Sequence, residues 1–207
     1  MRPLLKVTAF VITASTPHHL LVFKHPMAGL QLPAGTVEPG EHPVAAASRE
    51  VNEETGVELT DSGVILDEKS RRLTSDRAVL IEAVEDNGHR FRRGHTVSVV
   101  NCENRNELVE ICDEVYDYST TPPELISSCR GLVPRASLAS TLRRTFVLYV
   151  EPTASQTRKW TRHADGHEFE VFWTLLRPDI PLFECQKMWL QSHLEDIERH
   201  LNPQTEK

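Results

Sequence analysis

The chain has 207 residues, enough for one domain with a sizeable core or one domain carrying an insertion. Hydrophobic residues make up 39% of it and charged residues 26%, ordinary for a globular chain, and no apolar run approaches the roughly 18 residues of a membrane span. The formal net charge of −7 argues against broad affinity for nucleic acid or acidic membranes, so a phosphate-rich substrate needs local basic groups or a cation to bind.

Cys102, Cys112, Cys129 and Cys185 are widely spaced, which predicts reduced thiols in the cytoplasm rather than a zinc site. No HExxH occurs among the histidines, and His18-His19 reads as part of a turn. The opening MRPLLK-VTAFVITA has the outline of a short signal peptide, but its apolar run is only about eight residues, near the lower limit for such segments. It is read instead as a strand, and a cytoplasmic location is expected.

Residues 4–13 are β-branched and apolar, the composition of a core strand. Residues 15–18, with Pro17, form a turn; residues 20–24 form a second strand, and Gln31-Leu32 a short one. Pro33 to Gly40 is a Gly/Pro-rich loop entering a helix, where backbone N–H groups and the helix dipole favour an anionic ligand. Pro43 suits the first helical position and Gly56 the left-handed stop just past the end. Between them Val44, Ala47 and Val51 make one apolar stripe, and Glu50, Glu53 and Glu54 fall on an adjacent one. Three neighbouring carboxylates repel one another by a few tenths of a kcal/mol per exposed pair. A hard divalent cation, Mg²⁺ or Mn²⁺, is the natural partner for such a cluster, and Glu41 adds a fourth carboxylate just ahead of the helix. The plainer reading of glutamates alone is a solvated acidic face.

Spacing decides between these two readings. Gly35, five residues, Glu41, seven residues, then Arg49-Glu50-Val51-x-Glu53-Glu54-x-Gly56-Val57 resembles the Nudix hydrolase signature at every position. The resemblance covers residues 35–57; element order alone extends it over residues 4–31 and 144–194. It implies an α/β/α sandwich with a mixed sheet between helices. It also implies metal-dependent hydrolysis of a nucleoside diphosphate linked to another group. On this resemblance Glu50, Glu53 and Glu54 are metal ligands with the Gly35 carbonyl completing the shell, Glu53 being alternatively a base or a ligand through water. Arg49 is assigned to fixing a glutamate, since at i, i+4 it reaches Glu53. A basic residue near the end of the second strand often contacts phosphate in this family, and Lys24 stands there. A catalytic base from outside the signature is also common, and no residue is singled out for it.

Residues 64–66 read as a strand. Residues 78–84 and 96–100 are β-rich and flank Asn87-Gly88, a strong tight-turn signal, which suggests a hairpin with ragged strands. Residues 101–124 carry net −6 and are ambiguous between helix and strand, while residues 120–139, with Pro122, Pro123 and Pro134, read as loop. Residues 130–162 reverse the charge to net +6. Within them Arg143, Arg144, Arg158, Lys159 and Arg162 are candidates for substrate phosphate, or else electrostatic partners of the acidic segment. Residues 146–150 read as a strand and residues 158–163 and 168–176 as a hairpin about Asp165-Gly166. Trp160 either stacks on a base or packs in the sheet. Leu190, Leu194, Ile197 and Leu201 repeat at helical spacing, giving a C-terminal amphipathic helix.

A single domain over residues 1–207 is therefore expected, with an insertion around residues 85–140 that covers the site, recognises substrate or forms a homodimer contact. The proline, tyrosine and longer motifs that accompany the signature in several substrate subfamilies are absent, so the substrate stays at the level of a small nucleotide-type molecule. A second function class also fits the residues: a catalytically silent Nudix-fold module that binds nucleotide or regulates. Intact carboxylates favour the enzyme.

Overall fold

The computed structural model describes residues 2–101, 107–152, 159–164, 166–183 and 185–202. In chain order the elements are β1 (Leu4–Thr13), β2 (His19–His25), β3 (Gly29–Gln31), β4 (Ala34–Thr36), α1 (Pro43–Thr55), β5 (Val64–Arg72), β6 (Arg77–Leu80), β7 (Val84–Asp86), β8 (His89–Phe91), β9 (Thr96–Asn101), β10 (Leu108–Asp117), β11 (Glu124–Pro134), β12 (Leu138–Ala139), β13 (Thr141–Glu151), β14 (Trp160–Ala164), β15 (His167–Leu175) and α2 (Cys185–Leu201). Two compact units result, Met1–Lys6 with Lys69–Arg144, and Val7–Glu68 with Thr145–Lys207.

The second unit carries the helices and the mixed eight-stranded sheet, ordered β14-β15-β2-β1-β13-β5, with β3 beside β2 and β4 beside β1. β1 is buried almost without interruption, the pattern of a strand covered on both faces. Phe10, Ile12, Leu20, Val22, Phe146 and Leu148 pack with Leu190 and Ile197 of α2. Tyr149, one residue on along β13, points to the opposite face. There its hydroxyl donates to the Val44 carbonyl of α1 at 2.6 Å. Burial and the nearby Asp61 carboxylate push this phenol up to about 12. One helix on each face of a mixed sheet is the α/β/α arrangement.

α1 runs between the stops its sequence marks. Pro43 opens it behind the N-cap His42, whose Nδ1 accepts from Val44 N. Gly56, at φ 75°, closes it with its N–H on the Asn52 carbonyl at 2.8 Å. Ala46, Ala47, Val51 and Thr55 form its buried side. In α2 the stripe differs from the sequence pattern. His193, only 1% exposed, takes the core position beside Phe10 and Phe146, while Leu194 is half-buried. The imidazole sets its Nδ1 2.7 Å from the Trp189 carbonyl and its Nε2 3.5 Å from the Asp67 carboxylate.

The first unit holds a five-stranded sheet, β11-β10-β9-β6-β12, and the β7–β8 hairpin turning at Asn87 (φ 50°) and Gly88 (φ 76°). Leu80, Phe91, Val97, Ile111 and Val133 centre its core. Residues 120–139, expected as loop, instead contain the eleven-residue β11, paired along its length with β10. The prolines sit where they do no harm: Pro122 and Pro123 in the connecting turn, Pro134 at the strand's last position. The ambiguous residues 101–124 resolve to strand at β10 for the same reason, since backbone pairing outweighs side-chain polarity.

Candidate active site

The signature folds into a strand–loop–helix unit in which side chains of α1 bond to the backbone of β4. Ala34 N–H donates to Glu54 Oε2 at 2.9 Å, and Thr36 N–H donates to Glu50 Oε1 at 3.2 Å. Gly35 lies between these two amides. A Cβ built there would overlap Glu50 Cδ and Oε1, so any side chain would displace the carboxylate. This is the physical reason for glycine at that position.

Arg49 gathers the remaining charges. Its Nε and Nη2 donate to the two oxygens of Glu41 at 3.0 and 3.1 Å, a bidentate pair. Nη1 reaches Glu50 Oε1 and Glu53 Oε2, each at 3.0 Å, and Nη2 also donates to the Thr36 carbonyl at 3.0 Å. Glu41 is itself seated by the Glu38 N–H at 2.8 Å. These contacts, that with Glu41 first, hold the guanidinium more firmly protonated than usual. Burial pushes the Glu50 carboxyl above the ordinary range, and the charge and hydrogen bond of Arg49 oppose that shift. Side-chain exposure grades along the helix, 13% for Glu50 against 54% for Glu53.

Two residues outside the signature reach the last turn of α1. Trp160 Nε1 donates to the Thr55 carbonyl at 2.6 Å, and Arg162 Nε donates to the Glu53 carbonyl at 2.9 Å. The sequence offers Trp160 as a base-stacking or sheet-packing residue and Arg162 as a phosphate contact or a partner of the acidic segment, because nothing local in residues 158–163 signals a distant helix end. At the other end of the unit, the buried Gln186 of α2 accepts the Leu32 N–H at 2.6 Å, just before β4.

The remaining candidates fall elsewhere. Lys24 is exposed on β2 opposite Glu170 of β15, whose carboxylate pairs with Lys159 at 2.9 Å; nothing among the described residues ties Lys24 to the glutamates. Arg144 belongs to the other compact unit, and Arg158 lies outside the described residues.

Among the described residues no three His, Cys, Asp or Glu side chains are already gathered as a metal cluster. Arg49 stands among Glu41, Glu50 and Glu53 instead. The donor chemistry nevertheless suits a hard divalent cation: carboxylate oxygens from one helix face beside the carbonyls of a glycine-bearing strand. The hydrogen bonds of Glu50 among the described residues all fall on Oε1. The space at Gly35 admits that carboxylate against the backbone.

Residues 34–56 thus place a carboxylate-bearing helix on a glycine-centred strand within an α/β/α sandwich. The sequence profile of the NUDIX domain matches residues 4–126, more than half of the chain, and the chain belongs to that family of hydrolases, which cleave phosphoanhydride bonds and generally use divalent metal ions. No curated protein sequence matches it. Solved structures similar to it include the dihydroneopterin triphosphate pyrophosphohydrolase of E. coli, at 11% identity and a TM-score of 0.40 over 97% of this chain and 93% of that one. A protein of Listeria monocytogenes described as a NUDIX hydrolase matches at 14% identity and 0.46, over 98% and 97% of the two chains. The Ap4A hydrolase of C. elegans matches at 12% and 0.42, over 97% and 99%. These likenesses are distant, and membership rests on the profile.

Proposed function

We propose that this chain is a divalent-metal-dependent pyrophosphohydrolase acting on a nucleoside diphosphate linked to a second group. The observation that carries the reading is the seating of Glu54 and Glu50 on the amides of Ala34 and Thr36, with glycine between them, inside an unbroken signature. Glu50, Glu53, Glu54 and the Gly35 carbonyl are the groups that would hold Mg²⁺ or Mn²⁺. Bound there, the cation supplies positive charge against the phosphate oxygens and acidifies water.

The chain's own residues do the positioning. The two β4 amides fix one oxygen each of Glu54 and Glu50 before substrate arrives, which lowers the reorganisation needed during reaction. Arg49 offsets the mutual repulsion of Glu41, Glu50 and Glu53 and ties them to the Thr36 carbonyl. Glu53, the most exposed of these carboxylates, is the group we assign to accept the proton of the attacking water. That water adds to one phosphorus, the bond from that phosphorus to the bridging oxygen breaks, and the leaving phosphate carries the electron pair away. Glu41, a substrate-binding candidate by sequence, is assigned to seating Arg49. Contact to substrate phosphate is assigned to Lys24 on charge alone, because a chain of net −7 needs local cations to hold a polyphosphate.

The test is turnover on a panel of nucleoside diphosphate derivatives with Mg²⁺ or Mn²⁺, with products resolved by chromatography. Cleavage of at least one to a nucleoside monophosphate and a second phosphate compound is expected, abolished by chelator. Binding without cleavage across the panel would replace the enzyme by the silent nucleotide-binding module.

A further inference from the structure

α1 ends badly by its own sequence. The last four carbonyls of any helix lack intrahelical partners, and the helix dipole there disfavours anions. α1 has no basic residue in its last turn and places Glu53 and Glu54 in it. Only part of the deficit is met locally, by the Gly56 N–H on the Asn52 carbonyl. Two more of these carbonyls are met from β14. Trp160 and Arg162 alternate along that strand and so share a face. One donates to the Thr55 carbonyl and the other to the Glu53 carbonyl. Their cross-strand partners on β15, Val171 and Phe169, are buried and brace that face. Arg162 thus brings a positive charge to the helix terminus that carries the glutamates.

We propose that Trp160 and Arg162 are positioning residues that latch the last turn of α1 to β14 and thereby hold the Glu53 and Glu54 backbone in register with β4. Its consequence for the metal shell rests on the function proposed above; the latch itself does not. The family profile stops at residue 126, so this pair lies beyond the stretch it matches.

The experiment uses the full chain with Arg162→Ala, Trp160→Phe, which keeps an aromatic ring and removes the N–H, and Arg162→Lys. Amide hydrogen exchange at residues 53–56 and Mn²⁺ affinity by EPR titration are read beside Tm. For Arg162→Ala and Trp160→Phe we expect exchange in those amides to quicken about tenfold. Mn²⁺ affinity should weaken about tenfold, the scale seen when a residue supporting metal ligands is removed, with little change in Tm. Arg162→Lys should recover most of both, since it restores a cationic donor at the helix end. Wild-type exchange in both of the first two variants overturns the latch. Quickened exchange with wild-type Mn²⁺ affinity overturns its positioning role and leaves a structural tie. If Arg162→Ala fails to fold, Trp160→Phe decides alone. If the wild-type protein binds no Mn²⁺, the proposed function fails, while the exchange data still decide the latch.

Discussion

The strand–loop–helix unit of residues 34–56 and the β10–β11 hairpin of residues 108–134 are built on opposite principles. In the first, side chains bond to backbone: Glu54 to Ala34, Glu50 to Thr36, Arg49 to Thr36 and to three carboxylates. Each such bond demands one residue type at one position. In the second, backbone bonds to backbone over ten register pairs, and Leu125, Ile126 and Leu132 stand about half exposed. A ladder of that kind tolerates almost any side chain that is not proline. Structure held by side chains leaves a motif in the sequence, and structure held by backbone leaves little.

That contrast can be broken by substitution. The largest effect is expected in the carboxylates: Glu54→Gln and Glu53→Gln should each lower turnover at least ~10²-fold with the fold intact by circular dichroism, since charge stabilisation is lost. Rates near wild type in both variants would remove these glutamates from the chemistry. Next comes Gly35→Ala. Its Cβ would overlap the Glu50 carboxylate, the movable end of a flexible side chain, so loss of turnover is expected with stability within about 1 kcal/mol of wild type. An unperturbed, active Gly35→Ala protein would show that the carboxylate does not need that seat.

Tyr149→Phe removes the hydroxyl that holds the first turn of α1 through the Val44 carbonyl, and should cost about 1 kcal/mol in urea unfolding with turnover reduced only modestly. A stability loss of several kcal/mol would mean that the ring, not the hydroxyl, had been disturbed. The smallest effect is expected on the hairpin: Ile126→Thr, at a residue 53% exposed, should stay within about 0.5 kcal/mol of wild type and leave turnover unchanged. A marked loss there would show that this face is covered in solution and that the ladder alone does not hold the hairpin.

The amino-acid sequence by itself determined the limits of α1 and the face that carries Glu50, Glu53 and Glu54, because caps and helical spacing act within four residues of one another. It also determined the core strands β1 and β2, whose apolar runs have no other home. It did not reveal β11, because polar residues and flanking prolines mask a strand whose stability lies in its partner. Nor could it show that a stripe position of α2 goes to His193, since that depends on a carbonyl one turn back and two phenylalanines from separate strands. What seats the glutamate helix comes from far along the chain. Trp160 lies 105 positions from Thr55 in the chain, and no local pattern encodes a bond between an indole on one strand and the last carbonyl of a distant helix.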